Sequence, residues 1–143
     1  MVLKLATDGC LNAEHQVIFL EHVQVKVSLT YSRRGDLQLH LLSPNGTPST
    51  LLPRRKDDYQ PGKLDAWHFL SVFYWGERPN GTWTLILENV GSELNAGTVH
   101  GCMSTSVMWQ FYPTFHGKDY RLIKCTSVTK HNVGTASRHF VSS

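Results

Sequence analysis

Apolar and polar side chains alternate without a break through His22–Tyr31. Val23, Val25, Val27, Leu29 and Tyr31 fall on one face of this segment, and His22, Gln24, Lys26, Ser28 and Thr30 fall on the other. Successive side chains of an extended strand point to opposite sides, so a strict period of two describes a strand with one buried face; a helix would scatter the same apolar residues around its axis. Leu37, Leu39 and Leu41 repeat the pattern after the polar link Ser32-Arg33-Arg34-Gly35. Glycine supplies the positive φ that short hairpin loops often need. The two segments are therefore expected to pair antiparallel as one hairpin, with Arg34-Gly35-Asp36 at its bend.

Two further runs have strand character. Thr82–Glu88 places Trp83, Leu85 and Leu87 on one side, and Trp67–Tyr74 is rich in aromatic and β-branched residues. Turn clusters at Pro44-Asn45-Gly46, Gln60-Pro61-Gly62, Arg78–Gly81 and Asn89-Val90-Gly91 cut the chain into short segments, with no helical period between them. The pattern is all-β and predicts an antiparallel β-sandwich of jelly-roll type. At 143 residues the chain is long enough for one domain that buries about two-thirds of its unfolded surface, so it needs neither metal nor disulfide staples.

Composition excludes several functions. The 14 basic and 11 acidic side chains give a net charge of +3, too weak and dispersed for a nucleic-acid partner. The densest basic run, Arg54-Arg55-Lys56, is followed at once by Asp57 and Asp58 and is expected to be a solvated loop. No segment approaches the ~20 apolar residues of a membrane span, and the apolar start is broken too early for a signal peptide. The three cysteines, Cys10, Cys102 and Cys125, have no metal-ligand spacing, and their odd number leaves at least one thiol without a partner in the chain.

Catalytic and metal chemistry find no footing either. The eight histidines, His15, His22, His40, His68, His100, His116, His131 and His139, lack any spacing that sets two imidazoles on one face. No Gly-x-Ser-x-Gly elbow is present; Gly134-Thr-Ala-Ser137 is only a loose likeness in a polar stretch. Asp57 and Asp58 are adjacent and point apart in an extended segment, so they make no acid–base pair. No glycine-rich phosphate loop links a strand to a helix. The expected catalytic, cofactor-binding and metal residues are therefore none. Asn45-Gly46-Thr47 and Asn80-Gly81-Thr82 both fit the N-glycosylation pattern, although Asn-Gly is also a favoured turn and Pro48 makes the first a poorer acceptor.

Several motifs occur in order: Leu20-Glu-His-Val23, Tyr31-Ser-Arg-Arg-Gly-Asp-Leu37, Ser43-Pro-Asn-Gly-Thr47, Ser49-Thr-Leu-Leu52, Trp75-Gly-Glu77 and Pro79-Asn-Gly-Thr-Trp-Thr-Leu85. Together they resemble the P domain of kexin/furin-like proprotein convertases, from about Leu20 to Thr98. The resemblance implies a non-catalytic jelly-roll sandwich that packs against a subtilisin-like serine protease domain acting at basic sites. It further implies support of that domain's folding, influence on its calcium and pH dependence, and residence in the secretory pathway, Golgi or beyond. The resemblance places calcium in the adjoining domain, and no catalytic or calcium-binding motif of that domain matches a stretch of this chain. On this basis residues 1–19 form a lead segment, 20–112 the sandwich and 113–143 an atypical polar tail. Two departures stand out. Lys63 to Ala66 is a local change in one loop, and from Cys102 onward the family pattern is lost, with Val107, Trp109 and Phe111 alternating as a substitute strand.

Two other readings compete. Arg34-Gly35-Asp36 would suit an integrin-type receptor if both charged side chains were exposed; the alternative, favoured here, is a turn in which Arg33, Arg34 and Asp36 bond locally or face the protease domain. Trp67, Trp75, Trp83 and Tyr74 could stack on sugars, but the alternation sends Trp83 into the core with Leu85 and Leu87.

Overall fold

His22–Tyr31 forms strand β2, and its side chains alternate between half-buried and buried along all 10 residues. The chain is represented by a computed structural model that describes residues 1–9, 17–111 and 120–125, with side chains described as far as residue 100. In chain order the strands are β1 (Val2–Thr7), β2 (His22–Tyr31), β3 (Leu37–Leu42), β4 (Pro48–Leu52), β5 (Gly62–Ser71), β6 (Gly81–Asn89), β7 (Gly97–Phe111) and β8 (Tyr120–Cys125). They make two antiparallel sheets, ordered β1-β6-β3-β4 and β5-β2-β7-β8.

The expected β-sandwich forms, but not through the expected hairpin. β2 lies between β5 and β7 in one sheet, and β3 lies between β6 and β4 in the other. The link between them crosses from sheet to sheet through a 3-10 turn at Arg34–Asp36. The apolar faces of β2 and β3 therefore look at each other across the core instead of sharing a ladder. Alternation identifies a buried face; it carries no information on which strand lies alongside.

That core is continuous. Val23, Val25, Val27 and Leu29 from one sheet meet Leu37, Leu39, Leu41, Leu85 and Leu87 from the other, all at or near zero exposure. Each such side chain contributes roughly 1.5–3 kcal/mol by leaving water. Trp83 is buried among them, as its alternation predicted, and its indole N–H donates to the Pro79 carbonyl at 2.9 Å. Tyr74 packs edge-on against Trp83 with ring centroids 4.9 Å apart and donates its hydroxyl to the Leu41 carbonyl at 2.7 Å. Burial pushes the Tyr74 hydroxyl up to about 12.

Sequence patterning missed two strands among the first sixty residues. Within the lead segment, β1 pairs with β6 from Val2↔Ile86 to Thr7↔Gly81 and buries only Leu5, too little apolar signal to stand out. β4 pairs with β3 in Pro48–Leu52, five residues of which only Ser49 is fully buried, so no apolar alternation marks the strand. The substitute strand lies within β7, whose backbone pairs with β2 on one side and β8 on the other. β8 itself falls inside the stretch read as a tail. The rest of that stretch, and Cys10, lie outside the described residues.

The departure at Lys63–Ala66 is a β-bulge. Val27 faces Trp67 while Leu29 faces Leu64, so three steps along β5 oppose two along β2. Ala66 absorbs the extra residue with φ of 51° and donates its N–H to Ser28 Oγ at 3.0 Å. A Cβ at left-handed φ costs roughly 1–2 kcal/mol. Ala66→Gly is accordingly expected to raise the unfolding free energy by about 1 kcal/mol, less the part lost to the more flexible unfolded chain. Urea unfolding checks this, and a lower midpoint for the variant contradicts it.

Candidate functional site

β2 runs between two chemically distinct ends of the sandwich, roughly 30 Å apart along the strand. One end carries the Arg-Gly-Asp turn, the other an apolar turn and both glycosylation sequons.

At the first end Asp36 is the centre of a charge network. Its side chain is 1% exposed, with Arg33 Nε 3.2 Å from Oδ2 and an Arg54 guanidinium nitrogen 3.4 Å from Oδ1. Asn95 Nδ2 donates to Oδ2 at 3.0 Å. The Val90 N–H donates to the Asp36 carbonyl at 2.9 Å, which ties the turn to the end of β6. Gly91 lies flat on this carboxylate, where any Cβ would run into it. A carboxylate excluded from water needs such donors, because an unpaired buried charge is costly.

The rest of the turn is fastened to the segment Arg54–Gln60. Arg34 Nε donates to both carboxylate oxygens of Asp58, at 2.9 and 2.8 Å. Arg55 reaches the same carboxylate at 3.3 Å and the Arg34 carbonyl at 2.9 Å. Four main-chain bonds run beside these side chains: Arg34 N–H to Gln60, Gly35 N–H to Asp58, Arg55 N–H to Gly35 and Asp58 N–H to Arg55. Hydrogen bonding from Arg34 holds the Asp58 carboxyl below the usual carboxylate range, with Arg55 acting in the same direction. A depressed carboxyl stabilises the fold above its unfolded pKa, and that contribution is lost only as pH falls through the lower folded value. The clasp therefore keeps its charge through mildly acidic pH.

These contacts decide the reading of the triplet. Arg34 is half exposed, but Asp36 is buried, so the two cannot be presented together to an adhesion receptor. Gly35 is not there for a positive φ. It lies where a Cβ would strike the carbonyl oxygens of Arg55 and Asp58, so it permits the two segments to touch. The basic run expected to be a solvated loop supplies Arg54 and Arg55 to the network. Asp58 and Asn95 also belong to it, and neither was legible as a site residue, because Asp58 meets Arg34 across 24 positions of sequence and Asn95 meets Asp36 across 59. Arg33 sits over the Tyr59 ring, 4.3 Å from its centroid, and donates to the Lys56 carbonyl at 3.3 Å.

The arrangement does not suit a metal. Among the described residues no group of three His, Cys, Asp or Glu side chains could hold an ion, and Asp36 and Asp58 are already neutralised by arginines. A calcium ion does not fit this site. His40 instead faces Thr50 Oγ1 at 3.1 Å and Glu88 at 3.7 Å, and His100 faces Thr30 Oγ1 at 3.3 Å.

At the other end, β5 is an edge strand, and Leu70, Val72, Phe73 and Trp75 are exposed along its end and the turn that follows. Phe73 and Trp75 flank Tyr74; anchoring Tyr74 in the core leaves its two neighbours facing water. Ile18 and Phe19 are exposed alongside, because Leu20 pairs by backbone bonds with Gly76 and Glu77. Trp67 is exposed too, but by strand parity it lies on the opposite face of β5 from Leu70. Trp83 and Tyr74 are buried, so the aromatic set proposed for sugar stacking is divided between core and surface. Asn45 and Asn80 are both exposed at this end. Among the described residues no helix is long and apolar enough to cross a membrane.

The sequence matches known proteins. The family model for the proprotein convertase P-domain matches residues 20–103. The chain is 48% identical over 103 residues to proprotein convertase subtilisin/kexin type 4 of Rattus norvegicus, covering 71% of this chain and 15% of that protein. It is 42% identical over 97 residues to furin of Mus musculus, covering 68% of this chain and 12% of furin. The crystal structure of a serine protease of Aeromonas sobria superposes with a TM-score of 0.47 at 26% identity, covering 70% of this chain and 21% of that one. The chain thus spans a small fraction of the curated relatives it matches. Motif order, the two-sheet fold and a family match over more than half of the residues agree, and the chain belongs to the proprotein convertase P-domain family.

Proposed function

We propose that this chain is a non-catalytic accessory domain that packs against a subtilisin-like serine endoprotease domain and supports its folding. The observation that carries the reading is the exposed turn Leu70, Val72, Phe73 and Trp75 with Ile18 and Phe19 beside it. Exposed apolar side chains gathered at one end of a domain mark an interface more often than a free face, and aromatic anchors dominate interface energetics. The protease domain would act at basic sites in precursor proteins within the secretory pathway and would bring its own calcium. The charged turn at the far end serves the fold of this domain.

Co-expression tests the proposal. A subtilisin-like protease domain lacking its own P domain is expected to become folded, secreted and active when this chain is supplied. Phe73→Asp with Trp75→Asp should abolish that rescue while moving the unfolding free energy of the chain alone by no more than about 0.5 kcal/mol, the usual span for surface substitutions. Failure of the unaltered chain to rescue any such protease domain would sink the reading.

A further inference from the structure

The two sequons meet at one end of the sandwich but differ in local geometry. Asn45 sits in a closed turn: Ser43 N–H donates to the Thr47 carbonyl at 3.0 Å, Gly46 N–H to the Ser43 carbonyl at 2.9 Å and Thr47 N–H to Ser43 Oγ at 3.2 Å. Its Nδ2, the atom that would carry a sugar, donates to Glu77 at 3.3 Å, two residues from Trp75. Thr47 is half-buried, and Pro48 opens β4 directly behind it. Asn80 lies instead at the mouth of β6, between buried Pro79 and Gly81 at φ of 131°. Its backbone is backed by Gly9, and both Asn80 and Thr82 face solvent.

We propose that Asn80 carries a single N-linked glycan and that Asn45 stays bare. The donor is an oligosaccharide linked to a lipid diphosphate. Asn80 Nδ2 forms a bond to the anomeric carbon, the bond from that carbon to the diphosphate oxygen breaks, the lipid diphosphate leaves with the electron pair, and the amide proton passes to solvent. Transfer requires an extended acceptor, with the hydroxyl of the third residue free to be bound. The stretch around Asn80 leaves both features outside any turn, whereas the Ser43–Thr47 turn, together with Pro48, withdraws them at Asn45. A sugar on Asn45 would also leave from beside Glu77, at the apolar turn. That last point rests on the docking surface proposed above; the glycan itself rests only on passage through the secretory pathway.

The test expresses the chain behind a signal peptide in eukaryotic cells and scores both cell extract and medium, so a chain that is retained still reports on transfer. The expected result is one mobility step removed by peptide N-glycosidase F, unchanged in Asn45→Gln and lost in Asn80→Gln and in Thr82→Ala, with mass spectrometry locating the resulting aspartate at position 80. Absence of a glycan on imported chain, a glycan on Asn45 alone, or glycans on both would overturn the assignment. None of these results bears on rescue of a protease domain, so the two readings fail separately.

Discussion

Asp36→Ala is expected to lower the unfolding free energy by about 3 kcal/mol, seen as a fall in the urea midpoint with an unchanged slope. The carboxylate is 1% exposed and answers Arg33, Arg54 and the Asn95 amide at once. Removing it leaves two guanidinium groups that are each about a third exposed and can return to water, so the loss falls at the lower end for a broken buried pair. The Asn95 amide keeps its second acceptor, Asn89 Oδ1 at 3.2 Å. Asp36→Asn retains the shape and one acceptor oxygen and should lose roughly half as much, the worth of exchanging a charged for a neutral hydrogen bond. Asp36→Glu, the usual control for an adhesion triplet, adds a methylene beneath Gly91 and should destabilise as well. An adhesion assay with that variant therefore reads folding. A loss below about 1 kcal/mol for Asp36→Ala contradicts the network described here.

The local grammar of the fold was legible and its long-range syntax was not. Val23 to Tyr31 announces a strand because one buried face imposes a period of two, and the same holds for Leu37–Leu41 and for Trp83–Leu87. Which strands lie together depends on pairings between residues tens of positions apart, such as Val25 with Ser104, and no local pattern encodes them. The hairpin expectation failed for that reason: a short polar link between two amphipathic strands serves a sheet-to-sheet crossing as well as a tight turn. Arg54 and Arg55 look solvated because charged runs in loops usually are, yet folding lays them against Asp36 and Asp58, 18 and 3 residues away. The apolar edge was partly visible in Trp67–Tyr74. Its exposure was not, since the anchoring of Tyr74 to the Leu41 carbonyl is what turns Phe73 and Trp75 outward.

Gly35→Ala is expected to cost on the order of 3 kcal/mol, at the upper end of what overpacking does, and to do so without any strain in φ. The added methyl meets the carbonyl oxygens of Arg55 and Asp58, which belong to the backbone and cannot rotate aside. Relief requires Arg54–Gln60 to move away from the turn, and that movement stretches the bonds from Gly35 N–H to Asp58 and from Arg55 N–H to Gly35, at 3.1 and 2.8 Å. Gly46→Ala is the matched control. Gly46 has φ of 85° and open space around it, so its alanine variant pays only for a left-handed conformation, roughly 1–2 kcal/mol. Urea unfolding of the two variants separates the reasons a turn keeps a glycine. The larger loss at position 35 expresses contact between segments, and equal losses would return Gly35 to the role of an ordinary hairpin glycine. Because Gly35 and Asp36 hold the same two segments, Gly35→Ala combined with Asp36→Ala should lose less than the sum of the separate effects. Additive losses would mean that the turn and the carboxylate network act independently.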